Sequence, residues 1–237
     1  MIKFTSLLLL TVALSSASTI TWVTPNGSSV VGGAVNASAT VTTGDHSITV
    51  KLSNLQANPT DVGQLISGFS FTLSSTPTTA LNTTTTPTNT TLIYINDTGT
   101  DVIAPWHLTS TGANILLERL DGFGQPSQLI IGPAPYDNAK GSIDGNKPHN
   151  PFLKETATFT FDVAGVTAAT SVTGATFNFG TQLDPGNVPH ITVTGICTDC
   201  GVVTGGSPGG EVPEPFSAFL IGGGLLGVGL YGKFRRA

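Results

Sequence analysis

Thr158-Phe159-Thr160-Phe161-Asp162-Val163 sets a hydroxyl or a carboxylate at every even position and an apolar side chain at every odd one. Successive side chains of an extended strand point to opposite faces, so this stretch builds one oily face and one wet face. The same period of two recurs in Thr19-Ile20-Thr21-Trp22-Val23, in residues 35–41 and in Ser47-Ile48-Thr49-Val50-Lys51-Leu52. It returns in Phe69-Ser70-Phe71-Thr72-Leu73, in Ala175-Thr176-Phe177-Asn178-Phe179 and in residues 190–196. Clusters of Gly, Pro, Asn and Asp separate these runs, as turns between half-buried strands require. Residues 115–120 and 129–131 are more continuously apolar and read as central strands. Helical periodicity is almost absent. The pattern predicts about nine or ten strands in an all-β fold, an antiparallel β-sandwich, of which the jelly roll is one form. The alternating phenylalanines are expected in the core between the sheets, not on a ligand-stacking platform.

Three stretches interrupt the pattern. Residues 76–91 hold ten threonines in sixteen positions, with Pro77 and Pro87, and are expected to form an exposed loop. Residues 132–151 carry Pro133, Pro135, Pro148 and Pro151 and read as a second loop. Residues 201–211 are Gly-rich and read as a flexible linker.

Between residues 18 and 210 there are five basic and twelve acidic side chains, a balance of −7 with no basic patch. That argues against nucleic acid or anionic lipid as the partner. Thr, Ser, Asn and Gly wet the surface in place of Lys and Glu, a composition that suits a soluble extracellular β domain. The two cysteines, Cys197 and Cys200, are expected to close a small disulfide loop in an exported chain. A redox C-x-x-C would want a helix N-terminus behind it, and a structural zinc would want two more ligands.

Sites with chemistry are sparse. His46, His107, His149 and His190 are scattered, without H-E-x-x-H spacing, and no metal site is expected. No nucleophile elbow, Walker loop or dinucleotide fingerprint occurs, so no catalytic residue and no cofactor are expected. Asp97-Thr98-Gly99-Thr100-Asp101 and Asp144-Gly145-Asn146 could each offer oxygens to Ca²⁺, but both also read as ordinary turns. Glu118 and Asp121 could be imagined as a glycosidase pair, with no second signal to support it. The sequons at Asn82 and Asn89 read as polar loops.

The two ends are more specific. Lys3, an apolar run over residues 7–14 and Ser15-Ser16-Ala17 form a charged region, a core too short to span a bilayer and a small-x-small cleavage site. Residues 1–17 are expected to be a signal peptide, cut between Ala17 and Ser18. At the other end stand Val212-Pro213-Glu214-Pro215, an apolar stretch over residues 216–231, then Lys233, Arg235 and Arg236. Sixteen residues make about 24 Å of helix, marginal against ~30 Å of hydrocarbon. The basic cluster should stay cytoplasmic and leave the β domain of residues 18–200 outside. Gly223 and Gly227 form a small-xxx-small pair that would let another helix approach this span closely.

Motif, short Gly-rich span and terminal arginines together resemble the PEP-CTERM sorting domain of Gram-negative bacteria. The resemblance covers residues 212–236 and the signal peptide, about a tenth of the chain for the tail itself. It implies processing by an exosortase, a membrane-embedded protease or transpeptidase, with transient residence in the inner membrane before the cell surface or exterior. Pro213, Glu214 and Pro215 would then be the recognition motif, and Arg235 and Arg236 the cytoplasmic stop. Phe216 stands where such tails commonly carry Ser, which leaves the cut position open. The resemblance further implies association with exopolysaccharide or biofilm, without enzymatic activity. An alternative is a secreted carbohydrate-binding module, which would need an exposed aromatic platform from Trp22, Trp106, Tyr94 or Tyr136. A secreted hydrolase would need converging carboxylates or a Ser–His pair. Ice binding would need a flat, regular Thr-lined face, for which the Pro-broken residues 76–91 are poor evidence.

Overall fold

The computed structural model describes residues 17–120, 126–144, 149–184 and 188–200. The expectations for residues 1–16, the linker, the sorting motif Val212-Pro213-Glu214-Pro215, the span 216–231 and the cluster Lys233, Arg235, Arg236 lie outside them. The described chain is all-β, with sixteen strands and one short 3-10 turn.

In chain order the first strands are β1 (Ser18–Val23), β2 (Ser29–Val30), β3 (Gly33–Ala34), β4 (Ala37–Gly44) and β5 (Ser47–Asn54). The 3-10 turn Val62–Gln64 follows. Next come β6 (Ile66–Leu73), β7 (Asn82–Thr85), β8 (Leu92–Ile93), β9 (Trp106–Thr111), β10 (Asn114–Glu118) and β11 (Ile130–Ile131). The last are β12 (Phe152–Lys154), β13 (Thr156–Asp162), β14 (Val172–Asp184), β15 (Val188–Thr194) and β16 (Ile196–Cys197).

Two main sheets form. One has five strands in the order β13-β5-β4-β1-β16, all antiparallel. The other has nine strands and runs β7-β9-β10-β6-β11-β12-β8, with β14 also paired to β6 and β15 to β14. This second sheet is mixed, because β11 and β12 pair in parallel. Sequence neighbours close tight hairpins where the turn chemistry permits. Gly112, at φ +60°, opens the two-residue turn between β9 and β10, a conformation an L side chain resists.

The oily faces of both sheets share one core. Val41, Val50, Leu52 and Phe159 from the five-stranded sheet join Phe69, Leu108, Leu117 and Phe177 from the nine-stranded sheet. Trp106 on β9 meets Phe159 on β13 with ring centroids 4.9 Å apart, so the two sheets touch directly through aromatic side chains. The architecture is therefore sandwich-like. The alternating phenylalanines Phe69, Phe71, Phe159, Phe161, Phe177 and Phe179 are all buried.

A second, smaller core of Val62, Leu65, Ile95, Leu129, Ile143 and Phe152 sits beneath the connections. The 3-10 turn is fastened there by a capping box: Asp61 accepts from Gly63 N at 2.8 Å, and Gln64 Oε1 accepts from Asp61 N at 3.1 Å. Ile143 and Tyr136 pack into this cluster, so residues 132–151 contribute apolar packing and are more than a surface loop.

Residues 76–91 also depart from expectation. They contain β7, antiparallel to β9, and Thr88 bridges Thr158 of β13. Threonine is β-branched and suits an extended backbone, and the free edge of β9 supplies a template. A run with little to bury still becomes an edge strand.

Candidate functional site

The aromatic candidates do not form a platform. Trp22 and Trp106 are buried in the core. Tyr94 donates its hydroxyl to Asp101 at 2.7 Å, and that carboxylate holds the phenol above its ordinary range. Tyr136 is half-buried, donates to the Gly132 carbonyl at 3.1 Å, and its hydroxyl is pushed up mainly by burial.

Among the titratable candidates, His107 and Glu118 are direct cross-strand partners on β9 and β10, and the other histidines lie on separate elements. His46 occupies the β4–β5 turn at φ +57°, His107 lies on β9 and His190 on β15. His149 is buried, with Nδ1 2.9 Å from the Pro126 carbonyl. Asn96, just before the first calcium candidate, donates its amide to Asp144 of the second. Asp101, however, is occupied by Tyr94, and no group of three His, Cys, Asp or Glu side chains gathers among the described residues. Glu118 is buried on β10, beside Arg119, whose guanidinium is lowered from its ordinary range by burial. Asp121 lies outside the described residues.

Cys197 and Cys200 are bonded to each other, Cα to Cα 5.5 Å. The loop they close holds β16 on the edge of β1. Thr198 N donates to Thr21 O at 3.0 Å, and Thr21 N donates to Asp199 Oδ1 at 2.7 Å. Closing a four-residue loop is worth about 2 kcal/mol on the chain-entropy scale. Paired Cys197→Ser and Cys200→Ser should therefore lower the melting temperature by roughly 4–8 °C, checked by thermal denaturation. A change below the scatter of the melt would show that the edge is held by its backbone bonds alone.

What remains are the wet faces of the sheets. On the five-stranded sheet, Thr19, Thr42, Thr49 and Thr160 stand in one register row across four strands. Thr19 bonds Thr42 at 3.0 Å, Thr49 bonds Thr160 at 3.2 Å, and Ser53 bonds Thr156 at 3.0 Å. The regular hydroxyl face that residues 76–91 do not supply is thus present here, built from strands distant in sequence. Its hydroxyls largely satisfy one another.

The outer face of the nine-stranded sheet is hollowed. Thr109, Leu116, Ser70, Thr176 and Thr194 make one continuous row across β9, β10, β6, β14 and β15. A cavity of about 270 Å³ lies over Thr109, Asn114, Leu116, Ser70, Asn178 and Thr192. A neighbour of about 330 Å³ lies over Ser70, Thr72, Asn114, Thr176 and Thr194. The two share Ser70 and Asn114 and form one trough. Gly68 and Gly174 place no side chain on this face. At Gly68 a Cβ would sit 2.9 Å from both the Leu117 carbonyl and Asn178 Nδ2.

No family model, curated protein or solved structure matches the chain.

The trough therefore stands on its own geometry. Its lining holds hydroxyls and amides together with Phe71, Ile115, Leu116, Gly174 and Ala175, with no charged side chain. Asn178 is 2% exposed, and its amide nitrogen has no hydrogen-bond partner. A larger hollow of about 560 Å³, at the end of the sandwich near Pro25, Gln56 and Ile196, carries no titratable side chain either. These sites can accept and donate hydrogen bonds to a neutral ligand. Among the described residues, no titratable side chain lines any of these hollows.

Ser70, Thr72, Thr176, Asn178, Thr192 and Thr194 are legible in sequence as wet positions of alternating strands, whereas Thr109, Asn114 and Leu116 are not. Their assembly into one trough is not legible either, because strand register links residues more than a hundred positions apart.

Proposed function

We propose that this chain is an exported, non-enzymatic surface or matrix protein, sorted by its C-terminal tail and associated with exopolysaccharide. The observation that carries the reading is the conjunction at the C-terminus of Val212-Pro213-Glu214-Pro215, a short apolar span and Lys233, Arg235 and Arg236, in a chain with a signal-like N-terminus. The first strand beginning at Ser18, next to the expected cut after Ala17, is consistent with it. So is the Cys197–Cys200 bond, which suits an oxidising compartment.

The physical logic of the tail favours transit over permanent anchoring. Proline lacks a backbone N–H and disfavours helix before it, so the pattern of Pro213 and Pro215 suits a processing enzyme's cleft that takes an extended chain. The span that follows is too short to sit comfortably across a full bilayer, and its glycines weaken it as a helix. Within this reading, the partners are an exosortase-type enzyme, the inner membrane in passing, and extracellular polysaccharide. Hairpins such as β4–β5 and β9–β10 are joined by crossovers that set β13 beside β5 and β14 beside β6, an order that no simple meander gives.

The test is a triple substitution, Pro213→Ala, Glu214→Ala and Pro215→Ala, in the native host. The variant should accumulate as the full-length form in the membrane fraction, while the unaltered chain is shortened and leaves it. Equal processing of both forms, or a cytoplasmic location for the unaltered chain, would overturn the reading. The carbohydrate-binding module is a second reading. It draws support from the trough alone, since both tryptophans are buried.

A further inference from the structure

We infer that the trough on the nine-stranded sheet binds a neutral, extended polysaccharide chain lying across the strands, through hydroxyl and amide contacts instead of aromatic stacking. This rests on the exopolysaccharide reading above and assigns its contact surface.

Shape comes first. The trough crosses β9, β10, β6, β14 and β15 along a single register row. Neighbouring strands are spaced ~4.8 Å, so four intervals span about 19 Å. That spacing is close to the length of one pyranose unit in an extended chain, and the row would meet successive sugars with successive strands.

Charge selects the ligand class. The lining has no ionised group, and residues 18–210 carry a balance of −7. An anionic glycan would be repelled by the domain and find no cation in the trough. A neutral one loses nothing by entering.

Polar valence is the independent observation. Buried polar groups are almost always partnered, and an orphan in a native fold calls for an explanation. Asn178 borders the trough, is 2% exposed and leaves its Nδ2 unpartnered. At the rim, Asn114 is an exposed residue that accepts from the Thr72 hydroxyl at 2.6 Å through Oδ1. Sugar hydroxyls are acceptors and donors at once and suit both amides. Leu116 and the threonine methyls supply apolar surface for pyranose C–H groups.

The test uses the full chain in detergent, run on native gels cast separately with hydroxyethylcellulose, galactomannan or alginate. Retardation by at least one neutral glycan is expected. Asn114→Ala and Asn178→Leu should each weaken it by ~10-fold in apparent affinity. Thr42→Ala, on the opposite face, should leave it unchanged. Asn178→Leu should also keep or raise the melting temperature, because it removes an orphaned donor. A purely structural asparagine would not combine retained stability with lost binding. Asn114 is exposed, so its variant reports on binding whatever becomes of Asn178→Leu. No retardation by either neutral glycan, retardation by alginate alone, or equal retardation of all variants would overturn the inference. A chain that is exported and processed normally yet ignores both neutral glycans would overturn this inference and leave the sorting reading standing.

Discussion

Phe69→Ala is expected to destabilise the β domain by about 3–5 kcal/mol, the range for emptying a buried aromatic site. Phe69 is fully buried and is an inner member of a ring chain within the nine-stranded sheet. Its centroid is 5.6 Å from Phe71 and 5.2 Å from Phe177, and Phe177 in turn lies 6.5 Å from Phe179. The first contact joins next-but-one neighbours on β6. The second is a direct cross-strand pair with β14. Truncation removes one of the two inner rings of four, so both of its contacts go together and each is worth more than its area alone. The surrounding strands cannot collapse into the gap, because each is pinned by ladders on both sides. For a domain of this size a loss near 4 kcal/mol lowers the melting temperature by roughly 8–16 °C. Thermal or urea denaturation of Phe69→Ala and Phe69→Leu checks it. Leucine keeps most of the volume and should lose roughly half as much. Equal small losses in both would mean that the sheets repack, and that the core is less closely specified than its ring geometry implies.

The position of Phe69 was readable in advance, and the reason is local. Phe69-Ser70-Phe71-Thr72-Leu73 alternates without interruption, so face and burial follow from pleat geometry alone. The same held for β1, β4, β5, β13 and the paired part of β14. Where alternation is masked by composition, reading failed. Trp106-His107-Leu108 alternates too, but it follows Pro105 and carries no turn signal of a strand start, although β9 lies beside β10 in the large sheet. β7 was hidden inside a threonine run whose neighbours suggested only a loop.

Register was the deeper gap. Ser70, Thr176 and Thr194 were each visible as wet positions. Nothing local says that they lie side by side, since β6 and β14 pair across about a hundred residues and β14 carries register shifts near Gly174 and Phe179. Long-range pairing is decided by the whole core at once. The trough and the threonine face are therefore properties of the assembly and not of any single segment.

Asn54 carries the second large expectation. It ends β5, and in sequence it looks like one more turn residue. In the fold it is 1% exposed. Its Nδ2 donates to the Gln64 carbonyl at 3.0 Å and to the Ile130 carbonyl at 2.9 Å, while Oδ1 accepts from Gln56 N at 3.1 Å. One amide thus ties the five-stranded sheet to the 3-10 turn and to β11 of the other sheet. The approach is close enough that Gly132 has no room for a Cβ, which would fall 1.9 Å from the Gln56 carbonyl. Asn54→Leu conserves size and removes all three bonds. Each buried group deprived of its partner costs about 1–3 kcal/mol, so a total on the order of 3–5 kcal/mol is expected. Thr42→Ala, which loses a hydroxyl pair at the surface, should stay within about 0.5 kcal/mol. Urea denaturation of the two variants side by side separates the cases. If Asn54→Leu proves no worse than Thr42→Ala, the sheets are joined by apolar contact alone and the amide only decorates the seam. If the loss is large, the seam is a polar fastening. A polar fastening fixes which residues of the two sheets lie opposite each other, because hydrogen bonds are directional where apolar contact is not.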